Sequence, residues 1–142
     1  MTRQDVIAIR EEVVRLDLSG KDQVSGLSID DLEKAFNGTG PEFLPEKIRQ
    51  DLDKRNRPLL PSVMVHDVDF TMSDGTVGGF MQANRRLLRN ATACACASYP
   101  WNDLRRYVLI LKAVALYSAC KRFGWAAWIL AYCKNQKGKN NE

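Results

Sequence analysis

Leu60-Pro61-Ser62-Val63-Met64-Val65-His66-Asp67-Val68-Asp69-Phe70 is the stretch that decides how this chain folds. It is dense in apolar residues, and it shows no period-two alternation of the kind that marks a half-buried strand. It reads as a helix over about residues 60–72, with Pro61 in the first turn, where a missing N–H leaves nothing unsatisfied. Ser73-Asp74-Gly75-Thr76 follows with good turn chemistry. A long helix is then expected over residues 77–97. Ser98-Tyr99-Pro100 breaks it, and a second long helix covers residues 102–122. Gly124 separates that helix from a short aromatic one over residues 125–133, and residues 134–142 read as a basic, polar, frayed tail.

The N-terminal side gives the same picture. Val6, Ile9, Val13 and Leu16 recur at three- and four-residue steps, which places them on one helical face ended by Leu18-Ser19-Gly20. Ser28 with Asp31 makes a capping-box start for a short helix through Phe36. Asn37-Gly38-Thr39-Gly40-Pro41 must turn, because its glycines permit positive φ and Pro41 cannot continue a helix. Pro45 opens a further helix, with Glu46 in its first turn, which Arg55-Asn56-Arg57-Pro58 ends. The expected fold class is therefore all-α. Residues 1–27 form an N-terminal helical extension, residues 28–133 the main helical domain and residues 134–142 the tail.

Composition narrows the function classes. The 142 residues, 45% of them hydrophobic, suffice for one domain with a core that needs no staples. Met1-Thr2-Arg3-Gln4-Asp5 runs straight into the amphipathic pattern, so cytoplasmic residence is expected, with phage association or leaderless export compatible. The apolar run over residues 107–120 is interrupted by Lys112 and is too short for a transmembrane segment. Cys94, Cys96, Cys120 and Cys133 have neither redox nor zinc-knuckle spacing and are expected to be buried free thiols. Trp125 and Trp128 are expected either in the core or on an interfacial face.

Charge is divided unevenly. Residues 1–84 carry 10 Lys and Arg against 15 Asp and Glu, whereas residues 85–142 carry 11 against 2. The halves are thus about −5 and +9, and the basic half can attract phosphates. Nucleic acid is not expected as the partner, because neither helix-turn-helix spacing nor an aromatic RNA-binding pattern is present. There is no GxxxxGK[ST] loop, no GxGxxG after a strand and no GxSxG elbow.

The chemistry-bearing candidates centre on His66, the only histidine. Histidine is the side chain best suited to move protons near neutral pH. Asp67 follows it about 100° round the helix, so it cannot orient the ring, but it can ligate a hard cation beside it. The Gly38–Gly40 turn could add main-chain carbonyl ligands to such a cation. The short, turn-rich connection lets the following long helix run antiparallel to the His66 helix, and in that arrangement the Asn84 amide oxygen could face His66 and accept its second ring N–H.

Glycine-bearing loop, His-Asp-x-x-aromatic and a helix with Ala-Asn, in that order, resemble the phospholipase A2 superfamily, closest to its small, cysteine-poor bacterial and viral branch. Asn37-Gly38-Thr39-Gly40-Pro41-Glu42 looks like the calcium loop. His66-Asp67-Val68-Asp69-Phe70 matches the HDxxY signature with Phe70 in place of Tyr. Ala83-Asn84 aligns with the helix that carries the family's second aspartate. Tyr117-Ser118-Ala119-Cys120-Lys121-Arg122-Phe123-Gly124 is similar to the closing helix of bacterial members. The resemblance covers about residues 36–126. It implies a calcium-dependent hydrolase of phospholipid sn-2 esters acting at an anionic phospholipid surface. His66 would be the general base supported by Asn84, calcium would be held by Asp67 and the carbonyls of Gly38 and Gly40, and Asn37 and Phe70 would be supporting residues. The alternative is a non-catalytic helical adaptor or phage-related structural protein on the same fold.

Overall fold

A computed structural model describes residues 1–36 and 45–139, apart from the side chains of residues 49 and 139. Among the described residues the chain is all-helical and contains no strand. The helices are α1 (Arg3–Arg15), α2 (Lys21–Gly26), α3 (Ile29–Ala35), α4 (Glu46–Arg55), α5 (Leu60–Thr71), α6 (Val77–Ser98), α7 (Leu104–Phe123) and α8 (Trp125–Lys139), with a 3-10 turn at Arg57–Leu59 ahead of α5.

The helix starts follow from local chemistry. Thr2 and Asp5 close a capping box at α1, and the Ser28 hydroxyl accepts the Asp31 N–H at α3. Thr76 accepts the Gly79 N–H at α6, and Asp103 accepts the Arg105 N–H at α7. Gly75 has φ +72°, and a Cβ there would lie 2.7 Å from the Tyr132 ring, so this turn needs glycine for two separate reasons.

Two differences from the sequence expectation have physical causes. The short helix α2 was not expected. It has no side-chain cap and starts from Gly20, whose φ of +95° lets the chain reverse between α1 and α2. A Cβ at Gly20 would stand 2.8 Å from Val65 Cγ1. The second difference is that α8 continues to Lys139, through residues assigned to a frayed tail. The Asn135 side-chain amide donates to the Thr71 carbonyl at 2.7 Å, which ties this extra length to the end of α5.

The core is built around α5, of which every residue except Asp67, Phe70 and Thr71 is buried. Val6, Ile9 and Val13 of α1, Val24 of α2 and Leu32 of α3 pack into one cluster with Leu60, Val63, Met64 and Val68. The first 27 residues thus fill the core beside α5. Asn90 of α6 accepts the Ser19 N–H and donates to the Ser19 carbonyl, so a buried polar group pins the bend before α2. A smaller aromatic cluster joins Phe80 and Ala83 to Trp128, with Phe70 against it. Trp128 is a core residue and donates its Nε1–H to the Thr76 carbonyl, whereas Trp125 stays partly exposed in a T-shaped contact with Phe80. Among the described residues no helix is long and apolar enough to cross a membrane.

Candidate functional site

His66 and Asp67 lie on α5, and Asn84 lies on α6, which packs against it. Contacts fix how the two helices meet. Phe70 faces Phe80 near the connecting turn, and Asp69 reaches Arg86 further along. The burial of α5 follows from its position at the centre of the molecule, and His66 is carried into the interior with it, at 6% exposure.

The ring of His66 is held in a defined orientation. Its Nδ1 lies on the Asp67 side, 3.9 Å from Asp67 Oδ1, and Asp67 itself keeps 22% of its side chain exposed. The opposite ring nitrogen, Nε2, is buried without a hydrogen-bond partner among the described residues. Phe70 packs on the imidazole at a centroid distance of 4.4 Å, and Trp128 in turn packs on Phe70 in a T-shaped contact. Phe70 therefore orients the ring by contact.

Asn84 is completely buried, and its amide nitrogen donates to the Phe80 carbonyl at 2.8 Å. That bond turns the amide so that Oδ1 is left as the free acceptor, and it has no partner among the described residues. The expected direct bond from His66 to Asn84 is therefore not made. The same helix pair holds a third unpartnered buried atom, Oδ2 of Asp69. Buried polar atoms without partners are uncommon and costly, and each of these three is a point at which a water would satisfy an unmet hydrogen bond.

Sequence reasoning missed the Asp69–Arg86 pair, in which Arg86 Nη1 lies 2.6 Å from Asp69 Oδ1. Burial pushes the Asp69 carboxyl above its ordinary value, while the charges of Arg86 and His66 pull it the other way. The available signal was spacing. Asp69 is three residues after His66 and so shares its side of α5. Arg86 also donates to Gln23 of α2, which links the His66 neighbourhood to the N-terminal helices.

Asn37, Gly38 and Gly40, the expected calcium loop, lie outside the described residues. Among the described residues no group of three or more His, Cys, Asp or Glu side chains could hold a metal. Asp67 supplies one hard, partly exposed carboxylate next to His66, which suits calcium only if main-chain oxygens complete the shell. The four cysteines are free thiols, but only Cys94 is buried, and Cys133 is exposed on α8. Desolvation raises the Cys94 and Cys120 thiols to about 11, which leaves them poor nucleophiles.

Comparison with protein families, with curated proteins and with solved structures found no match to this chain.

Proposed function

We propose that the protein is a calcium-dependent phospholipid esterase of phospholipase A2 type, with the α5–α6 pair running antiparallel and carrying His66, Asp67 and Asn84. The observation that supports this reading is the orientation of the His66 ring. One nitrogen sits beside the partly exposed carboxylate of Asp67, and the other points inward, on the helix pair that also buries the free amide oxygen of Asn84.

In this mechanism the inward Nε2 keeps its proton, which a bridging water would pass on as a hydrogen bond to the Asn84 amide oxygen. That fixes the tautomer and leaves the Nδ1 lone pair to take a proton from an attacking water. Phe70 keeps the ring from rotating. Asp67, with carbonyl oxygens of Gly38 and Gly40, would hold the calcium ion, which supplies polarisation of the ester carbonyl and stabilisation of the developing oxyanion. Asn84 offers an uncharged partner, so imidazolium gains less stabilisation than from a carboxylate, and slow turnover is expected. The net charge of about +9 on residues 85–142 favours an anionic lipid surface.

A calorimetric calcium titration tests the metal half of this reading. Saturable binding that Asp67→Asn abolishes is expected. Titrations without heat up to millimolar calcium would leave the second reading, a non-catalytic helical adaptor or phage-related structural protein. That reading is favoured by the exposed apolar surface of α7.

A further inference from the structure

We propose that the outward face of α7 is a docking surface for an amphipathic helix with acidic flanks, contributed by another protein. Most helices of a small domain are apolar on one side and polar on the other. In α7 the inward side buries Leu109 and Ala113, yet the outward side carries Leu104, Tyr107, Val108, Leu111 and Val114, all exposed. Leu104 and Leu111 are 79% and 70% exposed. A helix apolar on both sides is one that expects to be covered on both sides.

The spacing indicates what covers it. Residues 104, 107, 111 and 114 follow the alternating three- and four-residue steps of a helix-to-helix seam. The next turns offer Ala115, Ser118 and Ala119, small side chains that let a second backbone approach closely. Trp101 before the helix and Phe123 at its end extend the exposed apolar surface at both termini.

Charge selects the partner. Arg105, Arg106, Lys112, Lys121 and Arg122 lie along α7, and no Asp or Glu lies within it. Four of these cations have contacts within the chain: Arg105 pairs with Asp103, Arg106 donates to Cys96 Sγ, Lys112 donates to the Arg55 carbonyl and Lys121 lies over the Tyr117 ring, but only the Arg105 contact is with an acid, so the net positive charge of α7 persists. Two copies of α7 laid together would oppose like charges whether parallel or antiparallel. A helix with Glu or Asp beside its apolar stripe satisfies both the spacing and the charge.

The test uses a fluorescein-labelled three-heptad peptide with Leu at the seam positions and Glu beside them, titrated with the full chain. A scrambled peptide of identical composition is the control. Saturable binding is expected, about tenfold or more tighter than the scramble, and weakened about tenfold or more by Leu111→Asp. Leu111 is so exposed that this variant should keep its circular dichroism and melting temperature, and Leu104→Asp serves as a second variant if it does not. Equal binding of the two peptides, no binding, or binding indifferent to both substitutions overturns the proposal. So does a dimer in sedimentation that Leu111→Asp dissolves, which assigns the face to a second copy. Adsorption to phosphatidylglycerol vesicles that Leu111→Asp abolishes, without peptide binding, assigns it to lipid and also overturns the proposal. None of these outcomes depends on calcium or ester turnover, so the proposed hydrolase reading stands or falls separately.

Discussion

α5 and α7 are both rich in apolar residues, yet they are used in opposite ways. α5 is enclosed by α1, α2, α3, α6 and α8, and it brings His66 and Asp69 inside with its aliphatic residues. α7 is held mainly along one side by α6 and leaves large aliphatic and aromatic side chains in solvent. Hydrophobicity alone did not decide either outcome. Position in the helix packing did, and it left polar chemistry in the interior and apolar surface outside. A buried polar group persists against its desolvation cost when it does something, and an exposed apolar face persists when something covers it.

The contrast can be broken by substitution. The largest effect is expected from Arg86→Ala, which leaves the buried Asp69 carboxylate without its cation and should cost about 4 kcal/mol in urea unfolding. Leu87→Ala, in the fully buried face of α6, should cost about 3 kcal/mol by the same measurement. Thr76→Ala removes the α6 cap and should cost about 1 kcal/mol. At the other extreme, Leu111→Ala on α7 should change stability by less than about 0.5 kcal/mol. If Leu111→Ala cost as much as Leu87→Ala, α7 would be packed on both faces in the isolated chain and the contrast would collapse.

Acidity sharpens the same comparison. The folded-state value of Asp69 lies above its ordinary 3.8, so between the two the native state binds more protons than the unfolded chain. Its contribution to stability is therefore fully favourable below 3.8 and declines as pH rises through the raised value. Unfolding measured across the acidic range should show this declining component in the parent and its loss in Asp69→Asn. An unchanged profile in the variant would mean that burial does not govern this carboxyl.

Much of the fold was legible because its punctuation is local. Ser28, Pro45, the turn at residues 73–76, Pro100 and Gly124 act through their own backbone preferences, and the helices begin and end beside them. The helix α2 was not legible, because its only start signal is a glycine, and the need for glycine there comes from its left-handed φ and from the tertiary approach of Val65, neither of which the local sequence shows. The full length of α8 was also hidden, because the bond from Asn135 to Thr71 joins residues 64 apart. At the site, the separation of His66 and Asp67 into adjacent sectors could be read from helical geometry. The inward turn of Asn84 and the Arg86 contact could not, since both depend on how α6 is set against α5. The loop at residues 37–41 lies outside the described residues.

The most direct test of the central claim is release of fatty acid from phosphatidylglycerol vesicles by the full chain, with calcium or with chelator, beside His66→Gln. Slow turnover that requires calcium and falls by about a hundredfold or more in His66→Gln is the predicted result. Turnover equal in the variant, or no turnover at any calcium concentration by a chain that binds the vesicles, would contradict the account and leave His66 as a structural residue of the core.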